Sequence, residues 1–181
     1  MPEERLGRGA VPSLSLSQNT LLTRTHAVSP RGWIDTGAVV RLANQLIQGF
    51  NVKAGGAAAP AKSLSGGNLQ KFIMGREIMQ TPEVLVVSQP TWGVDAGAAA
   101  AIHQALVDLA ERGSAIVVIS QDLDELLALS DRLAVINEGR LSQAFDIATV
   151  NIQQIGLLMG GMHGDTKHSS NEGAGVHAAQ A

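Results

Sequence analysis

Two periods of apolar residues alternate along the chain. Val39, Leu42, Ala43, Leu46, Ile47 and Phe50 recur at i, i+3, i+4 and i+7, the stripe of a helix over 35–50. Asp35 or Thr36 can cap its first turn. A second helix opens at the glycines of "SLSGGNLQKFIMG" (63–75) and runs to about Gln80. Then the pattern changes. "EVLVVS" (83–88) and "AIVVIS" (115–120) are short β-branched runs, the mark of buried strands. Between them "DAGAAAAIHQALVDLAERG" (95–113) is helical, with Ile102, Leu106 and Leu109 on one face and Gly113 as its stop. "DLDELLALS" (122–130) is a helix whose acidic first turn suits the helix dipole. "RLAVINEGRL" (132–141) reads as a third strand ending in a Glu-Gly turn, and "NIQQIGLLMGG" (151–161) as a last short helix. Strand, helix, strand, helix, strand predicts an α/β fold, a parallel sheet covered by helices. Residues 1–33, rich in Gly, Pro and Ser, read as loop with a short helix or two, and "AGGAAAPAK" (54–62) as a linker. From Met162 onward the chain has no period, and 164–181 is expected to be a disordered tail.

Composition narrows the function classes. With 181 residues, 45% apolar and 16% charged, the chain can bury a core of its own. A net charge of −3 argues against nucleic acid as a main partner. The absence of cysteine excludes disulfides and thiolate metal sites. The longest unbroken apolar runs are strand-sized, well short of the about 20 residues of a spanning helix. "MPEERLGRGA" has no apolar signal core, so secretion is not expected.

The candidate chemistry sits at the start of the second helix. A helix N-terminus presents unpaired N–H groups and partial positive charge. Glycines allow close approach to that backbone, and a serine in front adds a donor. Ser65, Gly66 and Gly67 can therefore cradle a phosphate; an ordinary capped helix after a flexible loop reads the same way. His103 lies on a helix as a surface or packing residue. His163, His168 and His177 stand at uneven spacing in the tail, a poor pattern for a metal site. "GRGAVPSLSLSQN" lacks the strand-to-helix context and Lys-Ser/Thr pair of a phosphate loop.

The order of segments adds to this. "LSGGNLQ", a helix, "VLVV", "SQPTWGVD", a helix and "AIVVI" ending in "SQD" together resemble the ATP-binding cassette (ABC) ATPases over roughly residues 60–142. "SLSGGNLQK", "QPTWGVDAGA" and "IGLLMGG" look like the second cassette of the fused importer ATPases for simple sugars and nucleosides. "PEERLGRG" looks like a segment of that cassette just past its Q-loop strand, which extends the likeness over 1–163. The resemblance implies a partial RecA-like P-loop sheet with a helical subdomain. It divides the chain into a loop and helical part carrying the signature motif (1–79), an α/β part with Walker B, D-loop and switch region (80–163), and the tail. Ser65, Gly66, Gly67 and Asn68 match the signature motif. Trp92, Gly93, Val94 and Asp95 match the D-loop. The implied cofactors are ATP and Mg2+ in an assembled cassette pair. The implied partners are a second cassette (the first cassette or a missing N-terminal part), transmembrane permease subunits and, indirectly, a periplasmic or lipoprotein substrate-binding protein. The implied location is the inner face of the cell membrane.

Three departures from the family pattern stand out. No Gly-x-x-x-x-Gly-Lys-Ser/Thr occurs, so this stretch offers no amide nest or lysine for the β and γ phosphates. The likeness starts downstream of that loop, as expected of the C-terminal part of a cassette. The Walker B Asp-Glu positions read Ser88 and Gln89. A hydroxyl holds a magnesium shell more weakly than a carboxylate, and an amide is no base at pH 7. The switch-His position reads Gln121, which can donate a hydrogen bond but has no titratable proton. The expectation is a cassette that hydrolyses ATP poorly in its own site and lends its signature motif to ATP bound by a partner. The rivals are a non-catalytic or regulatory ABC fragment, and a non-transport ABC ATPase such as one acting on DNA. Against the latter stand the acidic balance and the lack of a coiled-coil insertion.

Overall fold

The computed structural model describes residues 1, 4–24 and 33–161. The expected tail, with His163, His168 and His177, lies outside them. The chain forms two compact units, Met1–Ser130 and Asp131 onward, so the boundary expected at 79–80 falls inside the first. No helix among the described residues is long and apolar enough to cross a membrane.

The first unit holds helices α1 (Leu16–Leu21), α2 (Thr36–Gly49), α3 (Gly66–Ile78), α4 (Ala96–Glu111) and α5 (Leu123–Leu129), with strands β1 (Val84–Ser88) and β2 (Ala115–Ile119). Each helix starts where a short polar side chain can accept from its free first-turn N–H groups. The caps are Ser15, Asp35, Ser65, Asp95 and Asp122. At Ser15 the cap is reciprocal: Ser15 Oγ accepts from Gln18 N at 3.1 Å, and Gln18 Oε1 accepts from Ser15 N at 2.9 Å.

Helix α3 is apolar on opposite sides, and such a helix must be buried all round. Its Leu69, Phe72 and Ile73 join Leu16, Leu46, Val52 and Ala61 in one core. Its Met74 and Ile78 join Leu85, Val87, Ile102, Leu106 and Leu109 in a second. The polar residues on α3 that are buried are tied to backbone. Arg76 donates from Nη1 to Asn19 O (3.2 Å) and from Nη2 to Gly9 O (2.9 Å), and pairs through Nε with Glu77 Oε1 (2.7 Å).

β1 and β2 pair in parallel, in register from Val84 with Ala115 to Ser88 with Ile119. Leu85 and Val87 turn into the second core. The other face carries Val84, Val86, Val117 and Ile119, between 46% and 63% exposed. Parallel sheets are ordinarily covered on both faces, so this one is open. Met1 lies along the free edge of β1: its ammonium donates to Val86 O, and its carbonyl accepts from Ser88 N at 3.3 Å.

The third parallel strand expected over 132–141 does not form. The second unit contains β3 (Arg132–Leu133), β4 (Ile136–Asn137), β5 (Arg140–Leu141), β6 (Phe145–Asp146) and α6 (Ile152–Met159). β3 pairs antiparallel with β6, and β4 with β5. The reason is the Glu138-Gly139 turn, where both residues have positive φ (48° and 76°). A two-residue turn of that hand folds the chain straight back, so its strands pair locally and antiparallel.

Helix α2 meets α3 at Gly75, where a Cβ would lie 2.4 Å from Phe50 Cδ2 and 2.6 Å from Cγ. In an exposed helix interior Gly→Ala stabilises by about 1 kcal/mol. Here overpacking costs about 1–3 kcal/mol. Gly75→Ala is therefore expected to lower the melting midpoint. In a Phe50→Ala background, with the ring gone, the same change is expected to raise it. A gain in the wild-type background would contradict the packing described.

Candidate functional site

The signature residues form the exposed first turn of the buried helix α3. Ser65 has extended backbone (φ −63°, ψ 158°) and caps it. Ser65 Oγ accepts from Asn68 Nδ2 at 2.9 Å and from Asn68 N at 3.4 Å. Asn68 is fixed in that orientation because its Oδ1 accepts from Lys53 N at 2.8 Å. The Ser65 hydroxyl keeps its own proton for an outside acceptor. Ahead of it the N–H groups of Gly66 and Gly67 have no partner among the described residues. A hydroxyl and two free N–H groups at the start of a 13-residue helix fit an anionic oxygen.

The glycines have a second reason to be there. A Cβ on Gly67 would lie 3.2 Å from Gly93 O, and one on Gly66 would lie 2.9 Å from Arg5 Nη1. The first turn of α3 packs backbone to backbone against the loop after β1.

That loop is organised from three sides. Gln70, 1% exposed, donates from Nε2 to Gln89 O (3.1 Å) and Pro90 O (2.7 Å). Thr91 Oγ1 donates to Glu125 Oε1 at 2.6 Å, and the same buried carboxylate oxygen meets His103 Nε2 at 2.9 Å. Asp95 caps α4 by accepting from Ala98 N at 2.9 Å. That N–H is the main cause holding the Asp95 carboxyl below the usual carboxylate range, and the charge of Lys71 adds to it.

Gln89 sits just past β1 with φ of 50°, a left-handed backbone that side chains rarely adopt. Its N–H still extends the parallel ladder, donating to Ile119 O at 2.8 Å. Its side chain is buried, with Ser120 Oγ 3.5 Å from Oε1. Gln89, Thr91, Trp92, Gly93, Gln121, Asp122 and Glu125 line one cleft. The structure thus brings Gln89 and Gln121 together. It also brings Gly67 against Gly93 and Val94 of the loop after β1. Ser88 is half-buried at the end of β1.

The donor set at the end of β1 does not fit magnesium. A hard divalent cation takes carboxylate oxygens, and Ser88 and Gln89 offer a hydroxyl and an amide. The buried carboxylate that lines the same cleft, Glu125, is engaged by Thr91 and His103.

Sequence reasoning missed Arg5, Gln70, Thr91 and Glu125 as site-builders. Gln70 lies on an α3 face flanked by apolar residues, and a lone amide in such a stretch signals that it binds buried backbone. Glu125, expected as part of an acidic helix turn rather than a paired carboxylate, also meets Thr91 and His103. His103, expected as a surface or packing residue, is half-buried against Glu125.

No protein-family model matches the chain. The nucleoside import ATP-binding protein NupA of Lactococcus lactis subsp. cremoris is 39% identical over 163 residues, covering 89% of this chain and 32% of that protein. The xylose import ATP-binding protein XylG of Burkholderia ambifaria is 40% identical over 145 residues, 80% of this chain and 28% of that protein. The ribose import ATP-binding protein RbsA 2 of Rubrobacter xylanophilus is 33% identical over 175 residues, 97% and 34%. The chain spans about a third of the length of the curated relatives it matches. Its fold matches a dimeric ATP-binding cassette in a post-hydrolysis state bound to ADP and Pi, with a TM-score of 0.66, 21% identity and coverage of 78% of this chain and 61% of that one. It also matches an ATP-binding subunit of an ABC transporter, with a TM-score of 0.67, 16% identity and coverage of 88% and 66%. The fold is that of the ABC cassette.

Gln70→Met keeps the shape of the side chain and removes its donor from two buried carbonyls. The expected loss is about 1–3 kcal/mol, a fall of several degrees in melting midpoint. A change within about 0.5 kcal/mol, as for an ordinary surface substitution, would show that the amide does not hold the Gln89 turn.

Proposed function

The chain is homologous, over most of its length, to the ATP-binding proteins of nucleoside and simple-sugar importers, and on that premise we propose that it forms the signature-bearing part of such an importer's ATP-binding component. The observation that carries the reading is the exposed first turn of α3. The Ser65 hydroxyl proton and the N–H groups of Gly66 and Gly67 have no acceptor among the described residues, on a helix packed into both cores. These groups hold phosphoryl oxygens of an ATP whose other phosphate contacts come from a partner cassette. ATP supplies the phosphoryl group; this chain supplies orientation and neutral donors. Preorganised donors of that kind stabilise charge that develops in a transition state.

The chain's own half of a nucleotide site is weak. Ser88 and Gln89 provide no base, and Gln121 offers an amide donor only. Its role there is structural. The open face of β1 and β2 supports an assembly in which further chain covers Val84, Val86, Val117 and Ile119. The partners in this reading are a cassette carrying a phosphate loop, membrane permease subunits and, through them, a substrate-binding protein. The place is the inner face of the membrane. The same neutral Ser88, Gln89 and Gln121 favour a second reading, a non-catalytic ABC module that regulates a partner.

Paired substitutions in the reconstituted transporter test the first reading. Ser65→Arg fills the cradle with a bulky cation, and ATP turnover is expected to fall by at least about 10². Ser88→Asp with Gln89→Glu is expected to change turnover little, because Gln121 still stands at the switch position. Turnover insensitive to Ser65→Arg but greatly raised by the two carboxylates would move the working site to this chain and overturn the assignment.

A further inference from the structure

We propose that Arg5 is a positioning residue that locks the first turn of α3 to the loop 91–94, so that the two present one rigid face. The guanidinium lies between two glycines. Nη1 is 2.9 Å from where a Cβ on Gly66 would be, and Nη2 is 3.2 Å from the same point on Gly93. Arg5 Nη2 also donates to Trp92 O, inside that loop. A planar fork with several donors can touch both elements at once, which an ammonium cannot.

The base of the clamp is itself fixed. Arg5 O accepts from Ala10 N at 2.7 Å, and Glu4 O accepts from Gly9 N at 3.0 Å. Ala10 is buried in the first core. Gly9 O accepts from Arg76 Nη2 at 2.9 Å, at the far end of α3. The segment 4–10 therefore runs alongside α3, hydrogen-bonded near its last turn by Arg76 and packed against Gly66 of its first turn through Arg5. Through Arg5, a shift of the loop that follows Gln89 moves Gly66 and Gly67 with it. The functional weight of this rests on reading Ser65–Gly67 as a surface lent to a partner's ATP. The mechanical link does not, and it can be measured on the chain alone.

The test is amide hydrogen exchange on the full chain. Protection is read at Asn68 and Leu69 in α3 and at Trp92 and Val94 in the loop. Arg5→Met keeps the aliphatic stem and removes the fork. Exchange is expected to rise at both places by roughly tenfold or more, with the amides of β2 and α4 unchanged. Gly66→Ala, which pushes the guanidinium aside, is expected to speed exchange at Trp92 and Val94 in the wild-type background. In the Arg5→Met background it is expected to add nothing there. If Arg5→Met leaves Trp92 and Val94 protected, or if the Gly66→Ala effect on them persists without Arg5, the clamp does not exist. Transport assays play no part in that result, so its failure is distinct from a failure of the importer reading.

Discussion

The structure turns on the burial of α3. Leu69, Phe72 and Ile73 are held in one core and Met74 and Ile78 in another, so the helix can neither rotate nor slide without opening both. Gln70 and Arg76, the long polar side chains buried along it, are each spent on backbone carbonyls of neighbouring loops. A buried polar group without a partner would cost what the apolar contacts gain. The donors of Gln70 and Arg76 do have partners and fix the loops to the helix, while Gln70 Oε1 is buried without one among the described residues. Its first turn carries Ser65 and Gly66, which are exposed, and Gly67, which is half-buried. A site that acts by orientation needs such a support, because misplacement by about 1 Å can cost on the order of 10² in rate.

The same helix explains how the turn after β1 survives. Gln89 holds a left-handed backbone, which costs of order 1–3 kcal/mol for a residue other than glycine. Gln70 offsets this by donating to the carbonyls on either side of the Gln89–Pro90 bond. A neutral amide at position 89 can also be buried without the cost of a charge. The backbone geometry of the site is therefore kept while its acid–base chemistry is absent.

Much of this was legible in the sequence. Caps at Asp35 and Ser65 follow from short polar residues placed just before helical runs. The strands at 84–88 and 115–119 follow from β-branched runs between helices. The ordered signature and D-loop segments pointed to the cassette fold. The failure at 132–141 has a plain cause: Glu138 and Gly139 make a hairpin turn, and the apolar run before it is too short to show whether its partner lies near or far. The long-range tethers were illegible for another reason. Arg5 reaching Trp92, Gln70 reaching Pro90 and Thr91 reaching Glu125 join positions 87, 20 and 34 residues apart, and no local period encodes such pairs.

In the proposed function this chain presents donors to ATP held elsewhere and does not itself hold ATP. Equilibrium binding of a fluorescent ATP analogue measures this directly, first with the chain alone and then with a cassette that carries a phosphate loop. The account predicts no saturable binding to the chain alone at millimolar nucleotide. It predicts nucleotide-dependent association when the second cassette is added, lost in Ser65→Arg. Micromolar binding to the isolated chain, or association indifferent to nucleotide and to Ser65→Arg, would contradict it.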